Sequence, residues 1–178
     1  PIWVIYMLTE ILVYKTLADL NIKYDITKHP AVFTVEEAIA IDELNIGYGC
    51  KNLFLKDRKG SKFFLVVLSQ NKRVNLKDLQ KKLSSSPLSF ASEEKLYHYL
   101  KLTKGSVTPF GILNDINHEV ELVFDKNIIN ENYLGFHPNV NTATVWISFK
   151  DLEKVIEKCG NKVHIIEIWY MEKGCPNN

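Results

Sequence analysis

Residues 51–57, KNLFLKD, and 62–69, KFFLVVLS, are two apolar runs joined by the short polar segment DRKG. No other feature constrains the fold as much. Two runs rich in Phe, Leu and Val, separated by charged residues and a glycine, read as an antiparallel hairpin. The chain must therefore build at least part of its core on a sheet. Within the first run Leu53, Phe54 and Leu55 are expected to be buried, with Lys51 and Asn52 at the strand's rim.

Helical segments surround this hairpin. Residues 8–20, LTEILVYKTLADL, place Leu8, Ile11, Leu12, Leu17 and Leu20 largely on one helical face. KYDIT follows as a short strand, and Pro30 bars helix in HPAVFT. Thr34 and Glu37 have capping-box spacing, which predicts a helix from Val35 to about Leu44. Asn75 is placed to cap LKDLQKKL, and Ser92 to cap EEKLYHYL. HEVELVF, TATVWIS and VHIIEIWY read as strands. FKDLEKVIEKC reads as a helix that Gly160 stops. Residues 127–141 read as an asparagine-rich loop. Helices and strands mix without a regular βαβ rhythm, so the expected class is α+β in a single domain. The chain's 178 residues suffice for one sizeable core.

Charge and cysteine content narrow the function classes. Net charge is +1, but ten basic residues fall between Lys51 and Lys82 against Asp57 and Asp78. That segment can present a positive field to phosphate, or simply a solvated lysine face. Cys50, Cys159 and Cys175 are scattered and make neither a disulfide framework nor a zinc site, which fits a reducing, cytoplasmic setting. PIWVIYML is too short to span a bilayer and lacks the basic start of a signal peptide, so no membrane role is expected. The chain begins with proline and Met7 is a possible native start.

Familiar catalytic signatures are missing: there is no GxSxG, HExxH or GK[ST]. The five histidines lack metal-ligand spacing, so no metal or other cofactor is expected. Three stretches retain chemical promise. Lys51 and Asn52 open the first strand of the hairpin, where a lysine can reach a cleft or merely snorkel. GSVTPFG, residues 105–111, has glycines that let backbone approach a ligand and N–H groups that can form an anion-binding concavity. GFHPNVNTATVWIS, residues 135–148, sets His137 and several amides and hydroxyls just before a strand.

Taken in order, KNLFLKD, KGSVTPFGILND and GFHPNVNTATVWIS, with HPAVFTVEEA at 29–38, resemble the YbaK/ProX family of aminoacyl-tRNA deacylases, nearest its alanine-specific branch. The likeness covers roughly residues 8–168. It implies an editing domain over 8–170, with 1–7 and 171–178 as terminal extensions. The implied fold is a mixed, mostly antiparallel sheet, curved or partly closed, with flanking helices. The implied activity is hydrolysis of the ester of Ala-tRNA(Pro). The alternatives are Cys-tRNA(Pro) as substrate, or a non-catalytic domain that binds tRNA or a synthetase. The implied partners are the acceptor end of tRNA(Pro) and a prolyl-tRNA synthetase.

Residue by residue, Lys51 matches the family's characteristic lysine, and Asn52 follows it as in the alanine branch. Gly105 to Pro109, with Ser106, Val107 and Thr108 between, match the GxxxP loop, and Gly111 continues it. His137 matches a histidine implicated in recognising the aminoacyl group. Val32, Phe33 and Thr34 fall among pocket-lining residues. The resemblance implies Lys51 and the glycine loop facing each other across one small hollow.

Overall fold

The computed structural model describes residues 2–31 and 46–168. The expected helix over 35–44, its Thr34–Glu37 cap, the pocket residues Val32, Phe33 and Thr34, and Cys175 lie outside the described residues.

The hairpin is the centre of the molecule. Strand β2 (Tyr48–Asp57) pairs antiparallel with β3 (Phe63–Ser69), Leu55 opposite Phe64 and Lys51 opposite Leu68. Gly60, at φ +66°, supplies the left-handed residue that its tight turn requires. Every residue of β3 is buried, because the sheet is covered on both faces. The remaining strands are β1 (Asp25–Lys28), β4 (Leu88–Phe90), β5 (Val120–Asp125), β6 (Leu134–Phe136), β7 (Ala143–Ile147) and β8 (Val163–Ile166). They complete a mixed eight-stranded sheet of order β1-β7-β6-β2-β3-β5-β8, with β4 also beside β2. It does not close into a barrel among the described residues. Antiparallel pairings (β1–β7, β2–β3, β2–β4, β6–β7) slightly outnumber parallel ones (β2–β6, β3–β5, β5–β8).

Side-chain alternation splits the hairpin between two cores. Phe54, Phe63, Leu65 and Val67 face one layer, which also holds Val13 and Leu17 of α1 (Ile2–Asp19). Leu96 and Leu100 of α3 (Glu93–Leu100) join them, as do Phe110 and Ile112 of a 3₁₀ helix (Pro109–Asn114) and Leu152 and Val155 of α4 (Phe149–Cys159). Leu55, Phe64, Val66 and Leu68 face the other layer, closed by Leu79 of α2 (Leu76–Lys82) and by Leu83.

Caps form where the sequence places them. The side chains of Asn75, Ser92 and Ser148 accept from the first-turn amides of α2, α3 and α4, and Gly160 ends α4 at φ +84°. Helix α1 differs from expectation. It starts at Ile2, within the segment read as an extension, and its buried stripe is Thr9, Val13, Thr16 and Leu17, while Leu8 and Ile11 are exposed. Thr16 can be buried because its hydroxyl donates back to the Leu12 carbonyl (2.8 Å). Strands β4 and β6, each of three residues, and the 3₁₀ helix are additions to the sequence reading. No helix among the described residues is long and apolar enough to cross a membrane.

Candidate active site

The site begins with a gap in the sheet. On the edge of β2 away from β3, β6 pairs only with Tyr48 and Gly49, and β4 only with Leu55, Lys56 and Asp57. Between them β2 has no neighbouring strand among the described residues. The Tyr48 N–H donates to the Tyr133 carbonyl and the Phe54 carbonyl accepts from the Ala91 N–H, while the Gly49 carbonyl turns inward to the Gln70 N–H. Even-numbered backbone groups of β2 therefore point outward, and the N–H and C=O of Asn52 point into the notch.

The side chains at the notch divide by parity. Asn52 shares a face with Cys50 and Phe54, and Lys51 shares the other with Leu53 and Leu55. The Asn52 Oδ1 is buried and has no hydrogen-bond partner among the described residues. An acceptor buried without a donor costs roughly 1–3 kcal/mol, so this atom is an opening for a ligand's donor. Lys51 is half-buried and makes no hydrogen bond or ion pair among the described residues. Burial holds its ammonium below the ordinary lysine value, and the charge of Arg73 adds to the shift. Two cations sharing one neighbourhood suit a polyanion.

His137 lies just past the end of β6. The parallel register pairs Gly49 with Gly135. The pairing of β6 with β2 ends there, and the His137 ring meets the strand end of β7. The Gly135 position has no room for a side chain, because a Cβ there would lie 2.6 Å from the Trp146 ring. His137 Nδ1 lies 2.9 Å from the Ala143 carbonyl oxygen, which only a protonated nitrogen can donate to. In the neutral ring Nε2 is then a bare acceptor. Burial keeps the imidazole below the ordinary histidine value, opposed by the Ala143 bond and assisted by the charge of His29. The His29 and His137 rings stand 5.8 Å apart, which unites two stretches more than a hundred residues apart in sequence. His29 carries no role in the sequence reading, and its proximity arises from the β1–β7 ladder, which no local pattern encodes.

The glycine loop is anchored in the core. Phe110 and Ile112 are core residues of the face bearing Phe54, and Val107 packs against them. Residues of the loop thus pack into the core layer that holds Phe54, while Leu53 and Leu55, which alternate with Lys51 along β2, belong to the other. Gly105 has φ +87°, where glycine alone is comfortable. Gly111 is buried, and a Cβ there would meet Leu102 Cδ1 at 2.6 Å, so its lack of a side chain serves close packing. Ser106 is buried and bonds to the Thr103 carbonyl (2.9 Å). Thr108 caps the 3₁₀ helix that opens with Pro109. Among the described residues no group of three or more His, Cys, Asp or Glu side chains can hold a metal ion.

Comparison with known proteins agrees with the resemblance. The family model for the aminoacyl-tRNA editing domain matches residues 29–155. The prolyl-tRNA editing protein ProX of Acetoanaerobium sticklandii is 49% identical over 152 residues, covering 85% of this chain and 93% of that protein. The prolyl-tRNA synthetase associated domain-containing protein 1 of Bos taurus is 35% identical over 149 residues, covering 82% and 86%. The crystal structure of a candidate trans-editing enzyme for prolyl-tRNA synthetase superposes with a TM-score of 0.67 at 18% identity, covering 90% of this chain and 98% of that one.

Proposed function

Because the chain belongs to the aminoacyl-tRNA editing domain family, we propose that it is a trans-editing hydrolase of mischarged prolyl-tRNA, and that the ester it cleaves is Ala-tRNA(Pro). The observation that carries this reading is the notch at Lys51–Asn52. Among the described residues it gathers a cation without a counter-charge, an acceptor without a donor and outward-facing backbone groups at one break in the sheet.

An editor of this kind answers a physical need. A synthetase pocket built for proline rejects the smaller alanine by only ~1–3 kcal/mol per missing methylene, so a second site must clear the error. The substrate is an activated ester with an α-ammonium next to its carbonyl and a ribose hydroxyl beside it. Lys51 repels the α-ammonium, so its role is the phosphate of the terminal adenosine, with Arg73 beside it. His137, neutral and with Nε2 bare, accepts from the ammonium or from the ribose hydroxyl. Asn52 meets the acyl and ribose end: its Oδ1 takes a donor, and its backbone N–H is directed to stabilise developing negative charge on the carbonyl oxygen. Val107 and Thr108, with Ser106 and Gly105 behind them, wall the Asn52 side, and Pro109 and Gly111 anchor that wall in the core. Val32, Phe33 and Thr34 are assigned to the acyl pocket by family likeness. Water is the nucleophile, assisted by the ribose hydroxyl or by His137. The working partners are the tRNA acceptor end and a prolyl-tRNA synthetase in the cytoplasm, and the basic residues from Lys51 to Lys82 track acceptor-stem phosphates.

The experiment is deacylation of tRNA(Pro) charged with alanine, cysteine or proline. Release of alanine alone is the expected result, and preferential release of cysteine overturns the choice of substrate. Release of none, with tRNA still bound, favours the docking reading and removes the hydrolase. Activity on alanine should persist to lower pH than an ordinary histidine would allow, because His137 stays neutral further into acid.

A further inference from the structure

His29 takes no part in the chemistry above, yet its ring is fully engaged. Nδ1 lies 2.9 Å from the Pro30 carbonyl oxygen, so it carries the proton. Nε2 lies 3.0 Å from Thr144 Oγ1 and, in the neutral ring, accepts from that hydroxyl. The His29 main-chain N–H donates to the Thr142 carbonyl (3.0 Å). These bonds close the end of the β1–β7 ladder, where Lys28 opposes Ala143. The Ala143 carbonyl, one peptide from Thr144, is the group that holds His137 Nδ1. The ring that fixes the strand end therefore also fixes the acceptor that sets the tautomer of His137.

We propose that His29 and Thr144 form a positioning pair for His137, holding its imidazole in the Nδ1–H form with Nε2 turned out as a bare acceptor; the reaction it serves is the one read above. The pair acts through geometry and charge. Geometrically it pins residues 142–144, so the Ala143 carbonyl cannot drift from the His137 ring. Electrostatically, a protonated His29 opposes protonation of His137 across 5.8 Å. Among the described residues the charged group bearing on His137 is His29, from the end of β1; Asp25, further along β1, accepts from the Tyr133 hydroxyl (2.9 Å).

Two measurements on the full chain test this, and one needs no substrate. Nitrogen-15 and proton NMR titration of the histidine rings reports the tautomer and titration of His137 directly. In Thr144→Val, which removes the hydroxyl but keeps the shape, the neutral His137 ring is expected to become a mixture of tautomers. In His29→Gln, which keeps a polar group for Thr144 but loses the charge, His137 is expected to retain its tautomer and titrate at higher pH. Deacylation then connects clamp to turnover. His29→Ala and Thr144→Val should each lower kcat/KM about ten- to hundredfold, as a small misplacement of a reacting group does. The double variant should lose little more than either alone. His29→Gln should recover most of the activity at neutral pH, with its acid limb moved upward. Unchanged ring spectra in all variants overturn the proposal, whatever the activity. So does wild-type kcat/KM in Thr144→Val and His29→Ala. If the wild-type chain releases no amino acid, the functional reading fails while the NMR arm still decides the clamp.

Discussion

The two halves of β2 solve opposite problems with similar residues. In the C-terminal half, Leu53 to Asp57, the buried carboxylate is fully satisfied. Asp57 is 3% exposed and its carboxylate accepts from the Ser61 and Lys62 N–H groups (2.8 and 3.1 Å) and from the Ser61 and Ser86 hydroxyls (3.2 and 3.1 Å). It ties the hairpin turn to the chain entering β4. Burial alone would raise its pKa, but these hydrogen bonds outweigh that and hold the carboxyl below its usual value. In the N-terminal half, among the described residues, Lys51 is half-buried without a counter-charge and Asn52 Oδ1 is buried without a donor. A satisfied network marks structure; unsatisfied groups kept in place mark a surface completed by something else.

The comparison breaks or sharpens by mutation. The largest effect should come from Lys51→Ala: kcat/KM for Ala-tRNA(Pro) falls at least about a hundredfold, ~3 kcal/mol of transition-state stabilisation, while chemical denaturation shows no loss of stability. A variant that unfolds more easily but turns over normally would make Lys51 a structural lysine and erase the contrast. Next, Asp57→Ala should cost about 2–3 kcal/mol of stability, because several donors lose a buried partner, with kcat/KM within about twofold of wild type. The wild-type contribution of Asp57 is present above the unfolded carboxylate pKa and is lost as pH falls through the lower folded value. The stability difference between wild type and variant should therefore shrink in acid. The smallest effect is expected from Asn52→Ala: about a tenfold drop in kcat/KM and stability equal to or above wild type, since an orphaned acceptor is removed. A clear loss of stability there would mean that Asn52 belongs with Asp57.

Much of this was legible in the chain, and what was not follows from physics. Capped helices and the hairpin announce themselves because their signals are local: Ser148 and Gly160 bracket α4, and Gly60 sits in the turn. The three-residue strands β4 and β6 leave no period to detect and exist only because β2 and β7 offer them edges. The buried stripe of α1 was misjudged because Thr9 and Thr16 go inward while Leu8 and Ile11 stay out. At the site, the residue types of Lys51, Asn52 and His137 were readable by likeness. The gap beside Lys51 and Asn52 was not, since it depends on how far β6 and β4 reach along β2. The pairing of His29 with His137 is the extreme case, set by the β1–β7 ladder alone.

Adjacent residues of a single strand serve opposite faces here, so β2 behaves as a two-sided ruler. Hairpin turns and surface loops can lengthen or shorten around it at little expense. One residue inserted or deleted between Gly49 and Leu53 would instead interchange the graduations, sending the ammonium where the carboxamide belongs and the carboxamide where the ammonium belongs. Tolerance to changes of length should fall to nothing over that short span.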